Sequence, residues 1–290
     1  MRKLTKRLLS LLVVMAMVAA MVPATGLPAV EVKATGQTVT SVIPEAEQAK
    51  IDNAAEIAEL DLQEVIAGTT CPMCGAQNIT WTRREAYRWD DPAANSVNHW
   101  YVNTQGSFSS WTYTEFGAGN VSTCIVLLNA GIDNNHATGR GFGSITNATL
   151  NIMGTGTVTI AGGNVFGVAA GGELNLYGGT YIYDGTSAVT TLDIDDGGVV
   201  NVYNDTVIGA ATKEASAYGN VSLTDGGILN MYGGTIRNGK RTEDFKGGNI
   251  DVARNSFFNM YGGTVTGGST GRYGGNVYVE AGSTAKIYAG

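Results

Sequence analysis

One four-residue phrase, returning at nearly even intervals, restricts this chain more than any other feature. It reads Leu150-Asn151-Ile152-Met153, then Leu174-Asn175-Leu176-Tyr177, Val200-Asn201-Val202-Tyr203, Leu229-Asn230-Met231-Tyr232 and Phe258-Asn259-Met260-Tyr261. A degraded copy, Ala285-Lys286-Ile287-Tyr288, follows. Successive asparagines lie 24, 26, 29 and 29 residues apart, and Lys286 lies 27 beyond Asn259. A second phrase keeps the same step: Thr191-Leu192-Asp193-Ile194, Asn220-Val221-Ser222-Leu223, Asn249-Ile250-Asp251-Val252 and Asn276-Val277-Tyr278-Val279. A period of this size means a solenoid or an array.

The chemistry of each phrase selects the kind of solenoid. Apolar and polar residues alternate, so each phrase is a strand with one buried face. Leu174 and Leu176 point inward, and Asn175 and Tyr177 point outward. No helix-length periodic run lies within a repeat, which excludes helical repeat families. Blades of a propeller need about 40 residues, more than these steps supply. Two or three short strands per turn, joined at glycine corners, make a parallel β-helix with coils about 4.8 Å apart. The expected fold is all-β: a right-handed parallel β-helix solenoid over 121–290, preceded by a short helix and a Trp-rich capping segment.

The N-terminus carries an export pattern. Arg2, Lys3, Lys6 and Arg7 precede an uncharged apolar run from Leu8 to Val22, and small residues follow, with cleavage expected after Ala24 or Ala34. Residues 1–34 are therefore read as a signal peptide. Loss of the four basic side chains takes the formal charge from −7 to −11, a poor balance for binding nucleic acid. Residues 35–69 read as a helical linker. Pro44, Glu45 and Glu47 suit its start. Ile51, Ala54, Ala55, Ala58, Leu62, Val65 and Ile66 form one stripe, and Gly68 is its stop. Residues 70–120 hold all four tryptophans, Trp81, Trp89, Trp100 and Trp111. They read as a Cys/Trp-rich cap for the first coil, since a solenoid needs its ends covered.

Asn230-Met231-Tyr232-Gly233-Gly234-Thr235-Ile236, with Gly248-Asn249-Ile250 after it, resembles the β-helix repeats of large surface proteins from Gram-positive gut bacteria. Those belong broadly with pectin-lyase-like folds and adhesin-like repeat proteins. Cys71-Pro72-Met73-Cys74-Gly75, with Ile79-Thr80-Trp81-Thr82 and His99-Trp100-Tyr101, is similar to their entry segment. The resemblance covers residues 70–290 and implies a cell-surface setting. It says little of activity, because one fold hosts many functions.

Three candidate chemistries compete with structural explanations. The pectin-lyase-like enzymes use clustered carboxylates, and the best cluster here is Asp193, Asp195 and Asp196. At a 29-residue step Asp193 stacks on Ser222 and then Asp251, and Asp196 on Asp225 and then Arg254. Two coils separate Asp193 from Asp251, about 9.6 Å, which is loose for a glycosidase pair. No catalytic residue is assigned. Asp195-Asp196 or Asn204-Asp205 could hold weak structural calcium. Cys71 and Cys74 read as half a zinc site, a local disulfide or a free dithiol. Cys124, His99 and His136 are the only further partners, at irregular spacing. Tyr177, Tyr203, Tyr232, Tyr261 and Tyr288 keep one phase with Asn175, Asn201, Asn230 and Asn259. That Tyr/Asn face could hold sugar rings, or could be a structural ladder.

The leading expectation is a secreted or cell-surface β-helix protein, non-enzymatic, adhesin-like or structural. It needs no cofactor beyond a structural zinc or calcium ion. The alternatives are a glycan-binding module using the Tyr/Asn face, and a polysaccharide-degrading enzyme. Partners would be host or plant glycans or cell-wall polysaccharide, not nucleic acid. Membrane contact would come only through the export signal or a C-terminal anchor. Because the sixth phrase stops with its turn unfinished, further coils and a cap are expected beyond Gly290.

Overall fold

A computed structural model describes residues 43–84, 97–103, 105–107, 122–134, 144–185, 189–210, 219–241, 247–271 and 273–288. Residues 1–34, read from sequence as a signal peptide, and Trp89, Trp111 and His136 lie outside the described residues. The repeats wind into a parallel β-solenoid of about five turns. From Thr149 to Val279 the turns run along three faces, and Thr149–Ile160 and Glu173–Tyr183 each pass through the first two as one strand. The first face carries the Asn phrase. Its strands run in the order Thr82–Arg83, Val97–Val102, Ser122–Leu127, Thr149–Ile160, Glu173–Tyr183, Val199–Val202, Ile228–Met231, Phe257–Met260 and Thr284–Ile287. The chain then bends into a second face that includes Thr206–Ala210, Thr235–Arg237 and Thr264–Thr266. The six-stranded third face carries the other phrase, from Ser144–Thr146 to Val277–Val279. The first face begins at Thr82, within the segment read from sequence as a cap.

Register follows the phrases. Asn175, Asn201, Asn230, Asn259 and Lys286 occupy one rung position. Asp193, Ser222 and Asp251 occupy another, as the 29-residue step requires. The inward positions are dry: Leu174, Leu176, Val200, Val202, Leu229, Met231 and Phe258 are fully buried in one continuous core. Each such side chain stabilises by roughly 1.5–3 kcal/mol when removed from water. A lone coil could not offset its own ordering entropy, so neighbouring coils are obligatory. Trp100 and Val102 close this core at its first turn, and the Arg84 guanidinium lies 4.7 Å over the Trp100 ring.

Two kinds of glycine shape the bends. Gly178 sits at φ 132°, and a Cβ there would come within 2.7 Å of the Gly154 carbonyl oxygen, so only glycine fits. Gly197 also has positive φ, but a Cβ there would meet nothing within 4 Å. Two coils on, at the same point of the corner, stands Asn255 at φ 62°, a residue that tolerates this region.

The expected single helix is two. The first, α1, spans Glu45–Ala58 with Pro44 at its N-cap. The second, α2, spans Leu62–Ala67, with Gly68 at its C-cap. Asp61 restarts the chain between them, because its carboxylate accepts from the Gln63 and Glu64 amides at 2.8 and 3.2 Å. The buried stripe is correspondingly narrower. Ala54, Ile57 and Val65 are buried, whereas Ala55 and Ala58 are exposed.

Candidate metal centre and the outer ladders

Residues 70–77 form a tight knuckle. Thr70 bridges Gln77 in antiparallel fashion. The Cys71 amide donates to the Ala76 carbonyl at 2.9 Å, and the Gly75 amide to the Cys71 carbonyl at 2.8 Å. Gly75, at φ 73°, makes this return possible. The fold returns both cysteines of the knuckle to the outer side of the first face, where His99 and Cys124 already stand as rung partners. The sulfurs of Cys71, Cys74 and Cys124 and a ring nitrogen of His99 all lie within 4.8 Å of one another. Cys74 Sγ is 3.4 Å from His99 Nε2. Cys71 and Cys124 are fully buried and His99 nearly so, while Cys74 is exposed. Trp81 packs edge-on against the imidazole at 5.3 Å between centroids. Ile57, Val65, Val126 and Met153 complete an apolar shell.

The Cys74 and Met73 amides favour the thiolate of Cys71, and the Ala76 amide that of Cys74. Asn151 Nδ2 donates to Cys124 Sγ at 3.5 Å. The Cys71 thiol is pulled down to about 5, chiefly by its hydrogen bond with Cys124, against the opposing effect of burial. The same bond, with burial, pushes Cys124 up, and burial pushes Cys74 up. Sequence reasoning found Cys71 and Cys74 but described Cys124 and His99 as irregularly spaced. Counted in coils, they are not. Asn151, Cys124 and His99 hold one rung position on successive strands.

The tyrosine and asparagine ladders continue from this centre, and their polar groups are already engaged. Asn175 donates to Asn151 at 3.0 Å, Asn201 to Asn175 at 2.7 Å, Asn230 to Asn201 at 2.9 Å and Asn259 to Asn230 at 2.9 Å. Asn151, Asn175 and Asn201 are buried, so these outward positions are not open to water. The rings of Tyr177, Tyr203, Tyr232, Tyr261 and Tyr288 stack face to face, with centroids 4.6 to 5.1 Å apart. The first helix lies on them: Ala54 and Ile51 pack against the rings, Lys50 Nζ donates to Tyr232 Oη at 3.0 Å, and Tyr232 Oη donates to Glu47. Burial raises the Tyr177 hydroxyl to about 12 and pushes Tyr203 and Tyr232 up too.

A third ladder escaped sequence reasoning. Asn220 Nδ2 donates to Asn249 Oδ1 at 2.8 Å, and Asn249 Nδ2 to Asn276 Oδ1 at 2.9 Å, in a buried corner. The signal was present, since these asparagines begin the second phrase.

The carboxylates of Asp251, Asp225, Asp195 and Asp193 are likewise engaged. Asp251 is paired with Arg241 at 2.6 Å in a buried setting, and Asp225 with Arg254 at 3.2 Å on the surface. Asp195 accepts from the Asp196 amide and from Thr224 Oγ1, both at 2.8 Å. Asp193 is half-buried and accepts from Asn164 at 3.4 Å. Burial, then the Asp195 charge, raise its pKa above the ordinary 3.8. A raised acid stabilises the fold below its unfolded pKa, and that contribution is lost as pH rises through the folded value. Asp193→Asn is therefore expected to raise the melting midpoint at neutral pH, with the gain vanishing well below pH 3.8. Melting curves across that range check this.

No protein family, curated protein or solved structure matches this chain.

Proposed function

We propose that this chain is an exported, non-enzymatic β-helix scaffold of the pectin-lyase-like, adhesin-like kind, displayed at the cell surface or released. One observation carries the non-enzymatic reading: the tyrosine and asparagine ladders and several outward carboxylates are already used within and between coils. Tyrosine faces stack on tyrosines, amides bond to amides, and Asp251 and Asp225 are paired with arginines. The same observation weighs against the glycan-binding alternative on the Tyr/Asn face. Export rests on the basic and apolar pattern of residues 1–34.

The full chain is expected to release no reducing sugar from pectin-like or host glycans and to give no signal on a glycan array that Tyr232→Ala abolishes. Antibody against the repeats should label intact producing cells, and the released form should begin after Ala24 or Ala34. Sugar release that disappears in Asp193→Ala would overturn the non-enzymatic reading. An intracellular, uncleaved product would overturn export.

A further inference from the structure

We propose that Cys71, Cys74, His99 and Cys124 hold one structural zinc ion in a closed tetrahedral site that fastens the knuckle to two neighbouring strands of the solenoid. The inference is independent of whether the solenoid meets glycans.

The donor set is the first argument. Three sulfurs and one imidazole nitrogen are a zinc set, and four protein ligands leave no open position, as in structural rather than catalytic sites. The second argument is distance. Zn–S bonds of about 2.3 Å and a Zn–N bond of about 2.0 Å in a tetrahedron put sulfurs about 3.8 Å apart and sulfur and nitrogen about 3.6 Å apart. The four atoms already lie within 4.8 Å of each other, with Cys74 Sγ and His99 Nε2 at 3.4 Å. Closing onto an ion needs shifts of less than about 1 Å. The third argument is the surroundings. Asn151 Nδ2 donates to the Cys124 sulfur at 3.5 Å, and Ile57, Val65, Val126 and Met153 enclose the group. Such a donor disperses thiolate charge around a metal.

A disulfide would use two of the sulfurs and leave the third cysteine and the histidine converging for no purpose. A zinc ion uses all four. Binding forms three Zn–S bonds and one Zn–N bond; the three S–H bonds break with their protons leaving to solvent, and the hydrated ion sheds its water ligands. The ligands come from the knuckle, from strand Val97–Val102 and from strand Ser122–Leu127. The ion therefore couples the start of the solenoid to the segment that precedes it.

The test uses the full chain, expressed with zinc and dialysed without chelator. Elemental analysis should find about one zinc per chain, and exchange with cobalt(II) should give the visible bands of a tetrahedral thiolate site. Cys124→Ser and His99→Ala should each weaken zinc retention by more than about 100-fold, while Asp195→Ala retains it. Chelation should make the exposed Cys74 alkylate rapidly, with Cys71 and Cys124 following only as the first coil opens, and should lower the melting midpoint by about 10 °C. If a ligand variant fails to fold, the cobalt spectrum and thiol protection of the unsubstituted chain decide. Absence of stoichiometric zinc, or a disulfide joining Cys71 to Cys74 or Cys124 in the isolated protein, would overturn the proposal.

Discussion

Replacing Leu229 by Asp is expected to unfold the coils on both sides of it. Leu229 is fully buried between its rung partners Val200 and Phe258. Losing the leucine costs about 2–5 kcal/mol, and a buried carboxylate without a partner adds about 3–5 kcal/mol. A domain holds only about 5–15 kcal/mol in total, so the loss is comparable with the whole. In a stacked array the damage spreads through neighbours, because each coil's stability depends on the next. Limited proteolysis should cut across residues 199–266, and the strand signal in circular dichroism should fall. Asn230→Asp supplies the comparison. From sequence that side chain faces water and the change is mild. In the structure it is half-buried and donates to Asn201 while accepting from Asn259. The substitution keeps the acceptor and loses the donor, and should cost about 1–2 kcal/mol. Wild-type stability in Asn230→Asp would show that the amide row contributes little.

Tyr232→Ala is expected to release the first helix from the solenoid. Its ring is stacked on both sides, at 5.0 and 5.1 Å, and its hydroxyl meets Lys50 and Glu47 from that helix. Truncating a buried aromatic costs about 3–5 kcal/mol. Hydrogen exchange should quicken across 45–58, while the core strands stay protected. Tyr232→Phe keeps the stack and loses only the hydroxyl contacts, about 1 kcal/mol. The helix should then remain docked. Equal exchange in the two variants would mean that the hydroxyl, not the stacked ring, holds the helix.

What could be read from sequence was the spacing, and what could not was the third dimension of each rung. The step between phrases gave the stacking of Asp193, Ser222 and Asp251 and the meeting of Asp225 with Arg254, because register in a solenoid is arithmetic. Alternation within Leu174-Asn175-Leu176 located the core. It could not reveal that Asn175 is buried too, because what covers it is the amide of the next coil. Nor could it reveal that the tyrosine row lies beneath a helix about 180 residues away in sequence. The metal centre was half legible. Cys124 lies 27 residues before Asn151, and His99 lies 25 before Cys124, both within the range of the coil steps. The change of residue type hid a period that the numbers preserve. The break at Asp61 was hidden for the opposite reason: one apolar stripe runs through it, and a single capping carboxylate outweighs the stripe.

The amide row has a direction, and a direction must be set somewhere. Asn259, Asn230, Asn201, Asn175 and Asn151 each donate toward the preceding coil, and the last donation ends on the Cys124 sulfur. Turning one amide over would set oxygen against oxygen on one side and nitrogen against nitrogen on the other. The five therefore turn together or not at all. Bound to the proposed zinc ion, the Cys124 sulfur carries no proton and can only accept, so it favours one of the two senses. The choice is then transmitted over five coil spacings, about 24 Å. The Glu173 carboxylate, which accepts from the amide nitrogens of both Asn175 and Asn201, holds the same sense in the middle of the row, so the sulfur and the carboxylate set its polarity together, with no main-chain movement required.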